Sequence, residues 1–441
     1  MPRLIIGLAG PRELDQPELT VPKTTQRKVP CQVIRAFTTL LAVHQAWGSD
    51  ITVLGGCGHV GLPLGLAFAD AGQRVTLYDT NFAAVDRVRS GKMPHLEPGA
   101  ADVLVRTLAT QTLTASPDQS AVGASEHLIV VVGTPIDEHL NPDPQAVVEA
   151  IEAVADELVD GQILILRSTV FPGVTRMVER MVERVGKDID VAFCPERIAE
   201  GRAMEELHSL PQIVASRSDR GYERAAALFT RLTDHIVRVG PEEAELAKLF
   251  TNSYRYIKFA AANQLYMMAN DYGLDYEVIR RAVIEDYPRA ADLPGPGFAA
   301  GPCLLKDTMQ LAAFNNNNFA LGQASMQINE GLPLYLVSRI ADRYDLDAMT
   351  VGILGMAFKK ESDDNRSSLS YKLKRVLKVR CAAVLTTDPY VTVDNELAPL
   401  EQVLERADLV IIGAPHEAYA DVTIDQPVVD IWNLRGGGVV V

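Results

Sequence analysis

Residues 51–79 combine a strand, a glycine motif, a helix and a second strand in an order that few folds accommodate. "ITVLGG" has the apolar, β-branched character of a buried strand, and "VGLPLGLAFADAG" has the pattern of a helix that ends at Gly72. "RVTLYD" is typical of the next strand. The stretch therefore predicts the first βαβ unit of a doubly wound, parallel sheet.

The same alternation continues in "HLIVVVGTP", "QILILRSTV" and "IDVAFCPE", stops at a long helical pattern from 241 to 273, and resumes at residue 350. There "TVGILGMAF", "AAVLTTDPY", "ADLVIIGAP" and "PVVDIWN" predict a second, smaller sheet. The predicted fold class is α/β, with two doubly wound Rossmann-like domains joined by a helical segment. The predicted boundaries are an N-terminal extension over 1–50, a first sheet domain over 51–238, a helical connector over 239–345 and a second sheet domain over 346–441.

The composition of the 441-residue chain, 47% hydrophobic and 22% charged, is that of a globular protein. Its five cysteines lie far apart without a CxxC pair, so we expect neither disulfides nor a metal site, and a reducing, cytoplasmic setting. The formal charge of −15 argues against a nucleic-acid partner, and no apolar run is long enough to span a membrane. An anionic small molecule would need a local cluster of Lys and Arg.

The glycine motif G-x-G-x-x-G lies between the first strand and the helix, where glycines let the backbone approach a pyrophosphate at a helix N-terminus. Asp79 ends the second strand, 18 positions after the last glycine, where a carboxylate binds both ribose hydroxyls of NAD and disfavours the 2′-phosphate of NADP. A purely structural turn would explain the glycines alone, but the combination predicts NAD binding. The predicted contacts from this loop are Gly56, Gly58, His59, Val60 and Gly61.

Three later strands of the predicted sheet end in polar residues. Turn chemistry and helix capping explain any one of these endings. All three share the edge where ligands bind to open α/β sheets, which favours a binding site. The residues are Thr134 and Pro135 in "GTP", Ser168 and Thr169 in "STVFPGVT", and Glu196, Arg197 and Glu200 in "CPERIAEG".

Two further segments carry candidate reactive side chains. Lys248 and Asn252 are four residues apart on one face of the long helix, within the mostly apolar "LAKLFTNSY". Cys303 follows a Gly/Pro-rich loop and precedes Lys306 and Asp307. A neighbouring cation lowers the pKa of a thiol, although a buried, inert cysteine is the ordinary alternative. Beside a nicotinamide cofactor, a nucleophilic cysteine can oxidise an aldehyde through a thioester.

These residues resemble the UDP-glucose/GDP-mannose dehydrogenase family over most of residues 51 to 435. The similar segments appear in the family's order, and they are "GGCGHVGLPLGLAFADAG", "GTP", "RSTVFPGVT", "CPERIAEGRAMEEL", "AELAKLFTNSY", "GPGFAAGPCLLKD" and "GILGMAFKKESDDNRSS". The resemblance implies an NAD-binding domain over 51–238, a connector over 239–345 that forms a homodimer or higher homo-oligomer, and a nucleotide-sugar domain over 346–441. It also implies four-electron oxidation of the C6 hydroxymethyl group of a nucleotide-diphosphate sugar by two NAD+ in turn.

The resemblance also implies catalytic roles by motif. Cys303 would be the nucleophile of the second oxidation, and Lys248 would stabilise the oxyanions. Asp307 would position water and move protons together with Thr169. Glu196 would be the base for thioester hydrolysis, with Glu200 beside it.

The remaining implied contacts bind ligands. Asn252 would bind the sugar, while Lys359 and Arg366 in "FKKESDDNR" would reach the phosphates and sugar. The implied substrate contacts are Glu196, Arg197, Glu200, Lys248, Asn252, Gly297, Lys359 and Arg366. The implied cofactor contacts beyond the glycine loop are Thr134, Pro135, Thr169 and Lys306.

The substrate is an open question at this point. We expect UDP-glucose, with a UDP-N-acetylhexosamine (ManNAc or GlcNAc) or TDP-glucose as the alternative. "CPER" and "GPCL" are more similar to the N-acetylhexosamine branch, and the loop before Cys303 is one residue longer than the family's commoner "GFGGSC". A two-electron alcohol dehydrogenase or epimerase, and a non-catalytic NAD-binding protein, are the competing readings.

Overall fold

The computed structural model describes residues 47–134, 136–137, 141–439 and 441. The predicted N-terminal extension lies outside these residues except for its last four positions. No helix in the described ranges combines the length and apolar character that crossing a membrane requires.

The first sheet has eight strands in the order β3-β2-β1-β4-β5-β6-β7-β8. Its strands are β1 (Ser49–Leu54), β2 (Val75–Tyr78), β3 (Leu113–Ser116), β4 (Ser125–Val130), β5 (Ile163–Leu166), β6 (Asp190–Phe193), β7 (Gln212–Ala215) and β8 (Ile236–Val239). The helices between them are α1 (Gly61–Asp70), α2 (Phe82–Arg89), α3 (Ala100–Ala109), α4 (Ala146–Glu152), α5 (Val174–Val185), α6 (Ala203–Ser209) and α7 (Asp219–Phe229).

The strand order reverses at β1, which pairs in parallel with β2 on one side and with β4 on the other. Apolar clusters cover both faces of the sheet. One contains Val53 and Ile165 with α1, and the other contains Leu128 and Leu164 with α5. Burial on both faces explains why these strands read as continuous apolar runs. The predicted doubly wound class is confirmed, and the crevice at the strand switch is where such folds bind ligands.

One edge of this sheet differs from the all-parallel prediction. Strand β7 runs antiparallel to β6, through the pair Phe193–Ala215, and β8 is parallel to β7. The chain leaves β6 at its carboxyl end and passes through the 194–202 loop and α6 (Ala203–Ser209). It then re-enters the sheet from that same end, which requires an antiparallel neighbour.

The connector consists of four helices, α8 (Pro241–Asp271), α9 (Tyr276–Ile284), α10 (Leu304–Phe314) and α11 (Ala320–Ala341). The predicted long helix is α8, with 31 residues. Pro241 stands in its first turn with Glu242 and Glu243, where a missing N–H costs nothing and acidic side chains suit the helix dipole. Asn263 of α8 and Asn329 of α11 hydrogen-bond at 2.9 Å in the buried interface between these helices.

The second sheet has four parallel strands in the order β10-β9-β11-β12. Its elements are β9 (Thr350–Leu354), α12 (Leu369–Leu377), β10 (Ala383–Thr387), α13 (Leu400–Arg406), β11 (Leu409–Ile412) and β12 (Val428–Val429). The predicted second, smaller sheet is confirmed. The boundaries 51–238, 239–345 and 346–441 stay predictions.

Candidate active site

The glycine loop between β1 and α1 has the close approaches that the motif requires. A Cβ at Gly56 would lie 2.8 Å from Leu77 Cα, and one at Gly61 would lie 2.3 Å from the Gly55 carbonyl oxygen. Asp79 accepts hydrogen bonds from the backbone N–H of Cys57 at 3.0 Å and of Asn81 at 2.9 Å. The carboxylate therefore lies at the mouth of the glycine loop, where the residues fit an NAD ribose.

The ends of the neighbouring strands contribute unequally to this site. Lys306 Nζ lies 3.4 Å from Thr134 Oγ1, which joins the loop after β4 to the Cys303 segment. Ser168 binds the backbone of Val132 through its hydroxyl, at 2.8 Å to both N and O, so its role is structural. Thr169 is half-buried beside it and makes no side-chain hydrogen bond within the described residues. Pro135 lies outside the described residues.

A compact group of side chains surrounds Cys303, which immediately precedes α10. Asp307, one turn further on, is fully buried and accepts hydrogen bonds from Lys306 Nζ and Asn252 Nδ2, both at 2.5 Å. Lys248 is one turn before Asn252 on α8, and it is buried as well. Helix α8 and the start of helix α10 thus bring together four of the six residues predicted for the chemistry, while Thr169 and Glu196 come from the loops that follow β5 and β6.

The pKa values of this group are set mainly by burial. Desolvation lowers the pKa of Lys248 below its ordinary value, against the opposing effects of Asp307 and Cys303. Cys303 is exposed, but the protein around its thiol displaces water, and this desolvation together with Asp307 raises the pKa of the thiol. Lys248 and Lys306 act in the opposite direction. The expectation of a lowered thiol pKa is therefore wrong for the ligand-free chain, because desolvation outweighs the cations.

Glu196 is held in place by a buried guanidinium. Arg167 Nε donates to Glu196 Oε2 at 2.7 Å, and Arg167 also donates to Gln212 at 2.9 Å. The other carboxylate oxygen accepts the backbone N–H groups of Arg197 and Ile198, at 2.6 and 2.9 Å. The Arg197 guanidinium donates to the Pro211 carbonyl. Glu196 has its oxygens engaged, so its geometry favours shaping the loop over accepting a proton.

Glu200 has the opposite environment. Its Oε1 lies 3.5 Å from His59 Nδ1 and its Oε2 lies 3.9 Å from Arg366 Nη2, while its carbonyl oxygen accepts from Lys359 Nζ. Burial, followed by repulsion from Asp364, raises the pKa of Glu200 to about 7. The charge of Glu200 also raises the pKa of the Cys303 thiol, so the two groups are close enough to interact. A carboxyl group that titrates near neutral pH at this position is suited to proton transfer.

The loop before Cys303 is supported by close packing. The N–H and carbonyl of Gly297 are both bound by Asn263, at 2.9 and 3.0 Å, and a Cβ there would lie 2.2 Å from the Trp432 ring. Gly301 has φ +99°, and its Cβ would lie 2.6 Å from Phe358. The predicted substrate contact of Gly297 stays a prediction, and both glycines allow the loop to lie directly on aromatic rings of the C-terminal domain.

Three groups at this site escaped the sequence reasoning. Glu97 is buried and accepts the N–H groups of Gly201 and Ala203, both at 2.9 Å, which holds the Glu200 loop. His95 stacks on His59 with ring centroids 4.1 Å apart, and burial lowers the pKa of each to about 4.

The third is Arg255, which is exposed, makes no ion pair within the described residues, and lies near enough to Lys359 to lower its pKa. The i, i+4, i+7 spacing of Lys248, Asn252 and Arg255 was an available signal for it.

The chain was compared with known families and proteins. Domain models of the UDP-glucose/GDP-mannose dehydrogenase family match at residues 49–233 (NAD binding domain), 242–331 (central domain) and 352–435 (UDP binding domain). The chain is 30% identical over 385 residues to UDP-N-acetyl-D-mannosamine dehydrogenase of Pyrococcus horikoshii, covering 84% of this chain and 90% of the relative. It is also 30% identical over 356 residues to UDP-glucose 6-dehydrogenase AglM of Haloferax volcanii, covering 76% and 83%.

The fold agrees with these matches. The structure of the UDP-D-ManNAc dehydrogenase from Pyrococcus horikoshii superimposes with a TM-score of 0.81 at 28% identity, covering 87% of this chain and 96% of that one. The predicted NAD cofactor and nucleotide-sugar substrate class are confirmed. The chain belongs to the UDP-glucose/GDP-mannose dehydrogenase family and is an NAD-binding nucleotide-sugar dehydrogenase.

Proposed function

We propose that the chain oxidises the C6 hydroxymethyl group of a UDP-N-acetylhexosamine, first of all UDP-N-acetyl-D-mannosamine, to a carboxylate. The relatives that support this include UDP-N-acetyl-D-mannosamine dehydrogenases of Pyrococcus horikoshii and other organisms, in agreement with "CPER" and "GPCL". They favour the alternative of the sequence analysis over UDP-glucose. The UDP-glucose enzyme of Haloferax volcanii keeps UDP-glucose as the second candidate.

The observation that carries the proposed reaction is the meeting of Lys248, Asn252 and Asp307 with an exposed cysteine at position 303. NAD+, bound at the glycine loop and Asp79, supplies the hydride acceptor for each two-electron step. Asn252, fixed by Asp307, is placed to hold the sugar. The C6 hydroxyl proton would pass to water positioned by Asp307 and Thr169, while the ammonium form of Lys248 stabilises the alkoxide oxygen. The aldehyde that is left after hydride loss then stays beside Cys303.

The second oxidation requires a proton to leave the thiol as the S–C bond forms, because the raised pKa keeps Cys303 protonated at rest. Lys248 has a lowered pKa and can carry this proton to the former carbonyl oxygen, which gives a thiohemiacetal. The hydroxyl proton then passes to the amine of Lys248, and loss of the hydride, for which bound NAD+ would be the acceptor, gives a thioester. Water then attacks, the C–S bond breaks, and Glu200 accepts the water proton while the thiol re-forms.

Three cations face the position of the substrate's diphosphate. Lys359 is near Glu97 and Glu200, and Arg366 is held by Asp364 at 2.6 Å. Arg255 has no carboxylate partner within the described part of the chain and adds a repulsive charge near Lys359. An anionic ligand would supply the partner that Arg255 lacks in the described residues, which supports Arg255 as an additional phosphate contact.

A substrate panel tests the proposal. UDP-N-acetylmannosamine, UDP-N-acetylglucosamine, UDP-glucose, TDP-glucose and GDP-mannose would be compared by NADH formation and product mass. We expect the highest kcat/KM for an N-acetylhexosamine, with about two NADH per sugar. A higher value for UDP-glucose would refute the substrate proposal. An aldehyde or epimer as final product would refute the four-electron reaction.

The nucleophile is tested by Cys303→Ala. This variant should lose acid formation while binding NAD normally, with Cys381→Ala, a half-buried cysteine after α12, as the matched control. Wild-type yields of uronic acid from Cys303→Ala would contradict the role of the thiol.

We also propose a homodimer formed through α8. Exposed apolar side chains lie on one face of this helix and directly after its end, separated by four, eleven, three and four residues, and a common face of this kind can pack against another helix. These side chains are Phe250, Tyr254, Leu265, Met268 and Tyr272. Because Lys248 and Asn252 lie on another face of the same helix, association and catalysis share one rigid element.

A further inference from the structure

A cavity of about 600 Å³ lies in the C-terminal domain, apart from Cys303 and the glycine loop. It opens between α12 and the loop at residues 393–396, and Asn365 and Ser367 form its floor. Its size is that of a site for a small organic ligand. None of the proposed catalytic residues lines it.

The charge of the cavity is unusual for a chain with a formal charge of −15. Lys374 and Arg375 of α12 line it together with Lys378, which directly follows this helix. Lys374, which is buried, and Lys378 share one partner, the exposed Glu396, at 2.9 and 3.4 Å. Arg375 donates only to the Tyr371 carbonyl, at 3.4 Å, and has no carboxylate partner in the described residues. The three cations thus share the cavity with two carboxylates, Glu396, which pairs with both lysines, and Asp394, which accepts the Tyr371 hydroxyl. Arg375 is the cation left without a carboxylate in the described residues, and an anion can supply its partner.

The rest of the lining is suited to a nucleoside. Tyr371 offers an aromatic ring, oriented by hydrogen bonds of its hydroxyl with Asn365 at 3.1 Å and Asp394 at 2.8 Å. Val393, 72% exposed, is an unshielded apolar side chain on the facing loop. Ser367 and Asn365 supply polar groups for sugar hydroxyls.

The cavity is also connected to the catalytic loop. The Ser367 carbonyl accepts the N–H of Gly301 at 3.3 Å, two residues before Cys303. Arg366 lies between the two cavity residues Asn365 and Ser367 in the chain, and its guanidinium is 3.9 Å from the Glu200 carboxylate. We propose that this cavity binds a nucleoside diphosphate group, free or as a nucleotide sugar, and that its occupancy acts on the Cys303 loop through Ser367.

Calorimetric titration of the full-length protein with UDP tests the site. We expect two equivalents per chain, one at the substrate site and one here. Arg375→Gln/Lys378→Gln should weaken one of the two sites about tenfold or more, because it removes two charge-assisted contacts. Lys372→Gln/Arg380→Gln, on the same stretch of chain but outside this cavity, is the matched control and should keep both.

Binding of a single equivalent by the wild type, or two unaltered equivalents in the Arg375/Lys378 variant, would overturn the site. If the Lys372/Arg380 control variant lost the same UDP affinity, the binding would depend only on the overall positive charge of this segment, and the proposed site would be overturned too. Inorganic pyrophosphate and UDP-N-acetylglucosamine form the other arms. If pyrophosphate bound this site as tightly as UDP, the proposal that the site recognises the nucleoside would be refuted.

Hydrogen–deuterium exchange tests the connection to catalysis. The amides of residues 298–303 should exchange more slowly when the second equivalent of UDP binds, and the initial rate should show a second phase as the nucleotide-sugar concentration rises and fills this cavity. The Arg375/Lys378 variant should keep its basal rate and lose both responses. If neither the amide exchange of residues 298–303 nor the initial rate changes when the cavity is filled, the proposed effect on the Cys303 loop is refuted.

Discussion

Replacing Glu200 with Gln should stabilise the protein at alkaline pH. The pKa of this carboxyl is raised from an ordinary 4.5 to about 7 by burial and by Asp364. Because the folded pKa is the higher one, the charge opposes folding once the pH exceeds about 4.5, and the full cost applies above about 7. The difference corresponds to about 3 kcal/mol of unfolding free energy, which the uncharged Gln avoids.

Urea unfolding checks this magnitude. The variant should exceed the wild type by about 3 kcal/mol near pH 8.5 and by about 1 kcal/mol or less near pH 5, where the carboxyl is mostly neutral in the folded protein. Glu205→Gln is the matched control, since Glu205 is exposed on α6 and pairs with Arg202 at 3.2 Å. An unchanged or lower stability of Glu200→Gln near pH 8.5 would refute the argument from burial.

The same variant should lose function. If Glu200 accepts the proton in thioester hydrolysis, acid formation should fall about 10²- to 10⁴-fold, and the rise of kcat with pH through about 7 should disappear. NAD binding should not change. Glu196→Gln provides the comparison. If that variant loses the pH dependence while Glu200→Gln keeps it, the base is Glu196.

Three other outcomes follow from the structure. Asp79→Ala should raise KM for NAD about tenfold or more in steady-state assays and narrow the preference over NADP, because it removes the carboxylate at the ribose position. Burial alone would raise the pKa of Asp388, but hydrogen bonds from His416 and backbone N–H groups lower it to about 2. Asp388→Asn should therefore cost about 2 kcal/mol at neutral pH, with the difference narrowing as pH falls from about 4 towards 2 in urea unfolding. Met268→Asp should give monomers by light scattering, whereas Met268→Leu, which keeps the apolar surface, should not.

Local patterns were sufficient for much of the fold. The first βαβ unit, helix α8 and the four strands of the second sheet each follow from an apolar run or a 3.6-residue period within the element itself. The three strands that were not predicted, β3, β7 and β8, have four residues each. Strand β8 is also partly exposed, with the pattern of neither a buried run nor a strict alternation. The direction of β7 depends on where α6 returns the chain, which no local pattern records.

The site shows the same division. Cys303 and Asp307 lie four positions apart, so one segment of sequence was enough to propose them together, and their roles, which the family resemblance implies, stay predictions. Glu97 could not, because its hydrogen-bond partners lie 104 and 106 positions away. The engagement of Glu196 by Arg167 and the raised pKa of Glu200 depend on burial and on charges from separate segments. The resemblance therefore put Glu196 ahead of Glu200 as the base, without access to the features that favour Glu200.

The contact between Gly297 and Trp432 provides a built-in optical probe. The chain has two tryptophans, and the indole of Trp432 is fixed by a hydrogen bond to the Ile412 carbonyl at 3.1 Å and by the edge of Phe298. Any shift of the 297–301 loop changes the surroundings of this fluorophore. A Trp47→Phe protein would therefore emit from a single indole beside the 297–301 loop, so that ligand binding could be timed by stopped-flow fluorescence without a label.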